Sequence, residues 1–229
     1  MTVKGTLVIV RHGQTDYNVQ HLNTGQRDIP LNKTGEAQAD EAGTLIKKPL
    51  FDKAYSSPLS RAFNTAARAL KTAGTQSQLQ NPDGSWQIEK RAELIELDAG
   101  DFTGRSNVDD PEVAKPMVYD IAPPNGESIK DVVARVQKFY DEELLPRLAR
   151  GENLFVSGHY FVLMAFQIVM GISAPPSGDP SAPKQKFPNA APLVCAFEDG
   201  VLKHHRYFTN PKTAANQNLP AAKNKSLKP

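Results

Sequence analysis

Short apolar runs alternate with helical patterns along this chain, and that alternation restricts the fold more than any other feature. TLVIV at 6–10, KAYS at about 53–56 and NLFVS at 153–157 are each bounded by turn residues and read as strands. A fourth strand is expected near 86–89. Between them, Thr34 is placed to cap a helix running to about Lys47. Ser57-Pro58 is placed to open another, with serine as cap and proline at the first helical position. Residues 128–148 carry Ile129, Val132, Val133, Val136 and Phe139 at helical spacing, with Ser128 and Asp131 set as a capping box. A further helix follows residue 158, and its apolar stripe FVLMAFQIVM reads as core. Strands separated by helices give an α/β fold with a mostly parallel sheet. LVCAFE at 193–198 and the segment 201–208 flank the turn Asp199-Gly200 and read as a hairpin.

A chain of 229 residues is long enough to bury one full core. A single domain is expected over 1–208, followed by a disordered basic tail at 209–229. That tail holds Lys212, Lys223, Lys225 and Lys228 and no acid, so the overall charge of +2 becomes −2 for the first 208 residues. Such a balance disfavours DNA or RNA as a partner. The apolar run ended by Arg11 is too short for a signal peptide, and 160–170 is too short to span a bilayer. Cys195 is the only cysteine, which suits a reducing cytoplasm. Neither a GxxxxGK loop nor a cysteine zinc pattern occurs. His204 and His205 are adjacent on a strand, point to opposite faces and cannot chelate one ion. Trp86 is assigned to packing.

In open α/β sheets, ligands bind beyond the carboxyl ends of the strands. Arg11 and His12 follow the first strand, Arg61 lies in the first turn of the helix after the second, and His159 follows NLFVSG. Two arginines and two histidines around one point suit a tetrahedral dianion, because a guanidinium fork matches phosphate oxygens and keeps its charge. A histidine can attack phosphorus and divide one transfer into two easier ones. The leaving oxygen then needs a proton from a carboxylic acid. The stretch AELIELDAGDFTG offers Glu93, Glu96, Asp98 and Asp101, and chemistry alone leaves the choice open. The connection from 11 to 33 and the segment 173–192, with six prolines in twenty residues, are long enough to carry function.

The run VRHGQTDYN resembles the signature of the histidine phosphatase superfamily, the phosphoglycerate mutase-like proteins. NTGQRDIPLNKTGEAQA, YSSPLSRAFNTA, LIELDAGDFTG and NGESIKDVVARV resemble further family segments in the family's order, over roughly residues 5 to 208. The resemblance implies a three-layer αβα sandwich. It implies His12 as nucleophile, Arg11, Arg61 and His159 as the charged pocket, and Glu96 as proton donor. Asn18 and the Thr24-Gly25 backbone are then further phosphate contacts. No metal or cofactor is required, since protein cations neutralise the phosphoryl oxygens.

Four departures set expectations about the reaction. Tyr160 stands where the family has glycine after its second histidine. Leu97, Asp98 and Ala99 stand where mutases carry an aromatic and a basic residue, and Pro116-Met117 replace a paired arginine. The stretch from Glu96 to His159 is also shorter than the mutase insertion. Fewer cations and less cover favour water as acceptor. The expected activity is hydrolysis of a small phosphorylated metabolite, with no membrane partner and with oligomers possible. The alternatives are a 2,3-bisphosphoglycerate-dependent phosphoglycerate mutase and a phosphate-binding protein that lost turnover.

Overall fold

The computed structural model describes residues 1–46, 50–74, 77–115, 117–181 and 187–208. The expected tail at 209–229, Lys47 and Pro116 lie outside them. Strands β1 (Lys4–Arg11), β2 (Lys53–Ser56), β3 (Ile88–Lys90), β4 (Asn153–Gly158), β5 (Pro192–Glu198) and β6 (Val201–Tyr207) form one sheet in the order β3-β2-β4-β1-β5-β6. β3, β2, β4 and β1 pair in parallel, and β5 runs antiparallel to both β1 and β6. The helices are α1 (Asp16–Val19), α2 (Lys33–Leu45), α3 (Ser60–Ala73), α4 (Ile129–Phe139), α5 (Leu145–Ala149) and α6 (Tyr160–Val169). Among the described residues no helix is long and apolar enough to cross a membrane.

Successive residues of a strand face opposite ways, and here both faces are covered. Leu7 and Ile9 pack with Val132 and Val136 of α4 and with Leu163 and Phe166 of α6. Val8 and Val10 pack with Ala42 of α2 and with Ala66 and Leu70 of α3. That is why TLVIV has no polar alternation, and it makes the fold a three-layer αβα sandwich. The apolar run of α6 is core, as its composition suggests. His204 and His205 are exposed on edge strand β6, and Trp86 packs half-buried against the α3 side.

Two helix starts differ from the sequence reading. Asn32 rather than Thr34 caps α2, its side chain accepting from the Gly35 N–H at 2.9 Å. Asparagine ranks above threonine as a cap, and the chain is still extended at residue 32. Helix α3 begins at Ser60, beyond Ser57-Pro58. Its N-cap residue Leu59 has no capping side chain, and Ser57 Oγ instead accepts from Leu59 N–H at 3.2 Å. The cap comes from a distant loop: Asp28 Oδ1 accepts from Ser60 N–H at 2.8 Å and from Ser60 Oγ–H at 2.7 Å. The 128–148 helix starts with the expected Ser128–Asp131 capping box but widens into a π turn at Tyr140–Leu144 before α5. Pro146 explains the break, since it cannot donate to an uninterrupted helical ladder.

Candidate active site

Because β4 lies between β2 and β1, their three carboxyl ends are neighbours. His12 N–H bonds Gly158 carbonyl at 2.9 Å, and Ser57 N–H bonds Ser157 carbonyl at 3.0 Å, so the ladder extends past the strand tips. His12 thus leaves β1 beside His159, which leaves β4 as the N-cap residue of α6. Their ring centroids are 5.1 Å apart and tilted by 58°. Gly13 lets the chain turn away beneath α2: a Cβ there would lie 2.2 Å from Gly35 carbonyl oxygen. Gly13 N–H donates to Thr65 Oγ1 at 3.0 Å, and that hydroxyl donates to Arg61 carbonyl at 2.7 Å. The loop after His12 is thereby tied to the helix that carries Arg61.

Arg61 is completely buried. Its two terminal nitrogens donate to Arg27 carbonyl at 2.6 Å and to Gly25 carbonyl at 3.0 Å. Arg11 donates to Phe187 carbonyl at 2.7 Å. The buried Nε atoms of both arginines and both ring nitrogens of His159 have no hydrogen-bond partner among the described residues. Groups of this kind are normally satisfied, and their lack of partners makes these strand ends the candidate site.

Burial, with Arg11 and Arg61 adding to it, holds His12 well below the ordinary imidazole pKa. Burial followed by Arg61 and His12 does the same to His159. Both rings are therefore neutral near pH 7. His12 Nδ1 lies 2.7 Å from Gly13 carbonyl oxygen. That acceptor requires the proton on Nδ1 and leaves Nε2 with a free lone pair. Glu96 is buried, and its carboxylate accepts from Leu97 N–H at 2.9 Å, Tyr160 N–H at 3.1 Å and Phe161 N–H at 3.2 Å. It thus caps α6, which has no capping side chain of its own. Burial raises its pKa, opposed by the Leu97 N–H and then by Arg61 and Arg11.

All five charged or titratable residues singled out in the sequence meet at this point, and the rival acids do not. Glu93 pairs with Arg91 at 2.8 Å, Asp98 accepts from Gly100 N–H, and Asp101 accepts from Asn125. Asn18 closes the capping box of α1, and its Oδ1 lies 3.4 Å from Asn189 Nδ2. Gly25, at φ +50°, offers its carbonyl to Arg61, while Thr24 carbonyl accepts from Arg27 N–H. Sequence reasoning missed Asn189, whose Nδ2 donates to His12 carbonyl at 2.8 Å, and Ala190, whose N–H donates to Arg11 carbonyl at 2.9 Å. The only signal was that both lie in the long proline-rich segment.

A family model for the histidine phosphatase superfamily (branch 1) matches residues 7–174. The chain belongs to that superfamily. It is an enzyme of the histidine phosphatase, phosphoglycerate mutase-like type. A curated relative from Allorhizobium ampelinum, named 2,3-bisphosphoglycerate-dependent phosphoglycerate mutase, is 40% identical over 176 residues, covering 72% of this chain and 79% of its own. A relative of the same name from Methylobacterium sp. (strain 4-46) is 37% identical over 166 residues, with the same coverage. Among solved superfamily structures, a mycobacterial glucosyl-3-phosphoglycerate phosphatase superposes with TM-score 0.68 at 25% identity, covering 89% of this chain and 97% of that one. A phosphoglycerate mutase from Bacillus anthracis superposes with TM-score 0.70 at 24% identity over 95% and 98%, a likeness of fold.

Proposed function

We propose that this histidine phosphatase hydrolyses small phosphomonoesters through a phosphohistidine on His12, without a metal. The observation that carries the reading is the fixed tautomer of His12 inside a buried set of two guanidiniums and a second neutral imidazole. Arg11, Arg61 and His159 hold the phosphoryl oxygens, with Asn18 and the Thr24-Gly25 loop at the edge. Nε2 of His12 attacks phosphorus in line, the P–O bond to the leaving group breaks, and the Glu96 carboxyl proton passes to the departing oxygen. Water then attacks the phosphohistidine, the P–N bond breaks, and Glu96 takes the proton from the water. A raised Glu96 pKa suits both steps, and an arriving phosphate dianion raises it further. The lone cysteine, Cys195, is buried and fits action in a reducing cytoplasm.

Water is favoured as acceptor by the segment after Glu96. Leu97 and Ala99 are buried and apolar, Asp98 is acidic, and Met117 is exposed, so none of these positions adds a cation for a second anionic group. The curated relatives favour a second reading, a phosphoglycerate mutase that returns the phosphoryl group to its substrate. Product analysis with 3-phosphoglycerate and a 2,3-bisphosphoglycerate primer separates them. Hydrolysis yields glycerate and inorganic phosphate. Accumulation of 2-phosphoglycerate overturns the hydrolytic reading in favour of the mutase.

A further inference from the structure

The two arginines of the pocket are held unequally. Arg61 has two backbone carbonyls on its terminal nitrogens and stands on a 14-residue helix capped by Asp28. Arg11 has one carbonyl, that of Phe187, and no carboxylate within ion-pairing distance among the described residues. Its remaining surroundings are the Glu96 carboxylate, which attracts it from beyond ion-pairing distance, and an aromatic ring. The Arg11 guanidinium carbon lies 5.5 Å from the centroid of the Tyr160 ring. Phe187 also packs on that ring, edge-on with centroids 4.9 Å apart, and Phe161 meets it at 5.1 Å. The residue whose carbonyl holds Arg11 therefore also braces the ring that Arg11 faces.

Tyr160 is joined to the opposite side of the pocket as well, because its backbone N–H donates to Glu96 Oε2. Segment 187–190 closes the circuit through Ala190 N–H to Arg11 carbonyl and Asn189 to His12 carbonyl. Ala190 is held at φ +53°, a conformation that costs an alanine and persists only where its surroundings enforce it. We propose that Tyr160 is a positioning residue: its ring fixes the Arg11 guanidinium toward the phosphoryl group, supplying what Arg61 obtains from a second carbonyl. A guanidinium over an aromatic face within about 6 Å is attracted by the ring quadrupole, more strongly when water is excluded.

This inference rests on the proposed phosphate pocket but not on turnover, so its test reads anion binding. Orthovanadate affinity is measured by calorimetry on wild type, Tyr160→Phe, Tyr160→Leu, Arg11→Ala and Arg11→Ala/Tyr160→Leu, with thermal midpoints for each. Tyr160→Phe keeps the ring and is expected within about threefold of wild type, while Tyr160→Leu keeps bulk without a π face and binds about tenfold more weakly. In the Arg11→Ala background the leucine change is expected to cost less than twofold, because its target is gone. Equal affinity of the leucine and phenylalanine variants overturns the proposal, as does an equal loss in both Arg11 backgrounds. A structural role alone lowers the thermal midpoint without this coupling. Failure of the phosphohistidine reading shows separately, as vanadate binding without any labelled phosphoenzyme.

Discussion

Arg61 and His159 are wholly buried and stand on the first turn of a helix and the tip of a central strand, whereas the excursion from Phe102 to Ser128 is a surface structure. In the described part of that excursion Arg105 bonds Asp110 at 2.7 Å and Glu112 at 2.7 Å, Val108 and Ile121 are exposed, and isolated bridges join Leu22 to Ser106 and Val118 to Ser177. The floor is fixed by the same contacts that form the core, so its chemistry cannot drift without unfolding cost. This rim is held by partly exposed ion pairs and by backbone bonds to residues 21–23, contacts outside the core, so it can vary at little cost to the floor. The proposed phosphoryl chemistry is therefore tied to the sheet rather than to the rim.

The sharpest break is at the proposed nucleophile. His12→Ala is expected to lower kcat by about 10⁴-fold or more and to abolish phosphoenzyme trapping with labelled substrate, since no other group can form the covalent bond. A surviving phosphoenzyme would remove His12 from the mechanism. Next comes packing beneath the floor. Gly13→Ala places a Cβ 2.2 Å from Gly35 carbonyl oxygen. It should cost about 3 kcal/mol by denaturant titration, together with lost activity, because backbone faces backbone and neither can yield.

Acid probes the floor more gently. His12 and His159 have folded pKa values below the unfolded histidine value, so the unfolded chain binds more protons as pH falls. Their contribution is complete above about pH 6.5 and is lost below it, by at most about 1.4 kcal/mol per pH unit for each ring. Glu96, with a raised pKa, has the opposite sign and its effect grows as pH rises above the usual carboxylate value. Calorimetry between pH 7.5 and 5.5 should show a falling midpoint, and His159→Gln should flatten that slope. The smallest effect belongs to the rim: Arg105→Ala should change stability by under about 0.5 kcal/mol and turnover of a simple aryl phosphate by less than twofold. A large loss there would dissolve the distinction between rim and floor.

Local pattern placed each strand within a few residues because TLVIV and NLFVS are buried on both faces and tolerate no polar break. It misplaced the starts of α2 and α3 because Asn32 lies only two residues before the competing cap Thr34 and the cap of α3 comes from a distant loop at Asp28. The long proline-rich segment was visibly special, yet nothing in FPNAAP says that Phe187 carbonyl and Ala190 N–H fasten Arg11 and that the Asn189 side chain fastens His12. Such contacts join residues about 177 positions apart, and short-range propensity carries no information at that range.

By itself, then, the sequence determined the layered α/β fold and the family, and it singled out Arg11, His12, Arg61 and His159, with Glu96 from the family resemblance, as the proposed site, because these depend on hydrophobic period and on chemistry that few residue types supply. Only the tertiary structure decided that the rival acids are engaged elsewhere, which nitrogen of His12 is free, and where the Tyr160 ring sits beside Arg11. Those depend on which backbone groups approach which side chains once the strands are ordered β2-β4-β1, and that order is set by packing across the whole sheet.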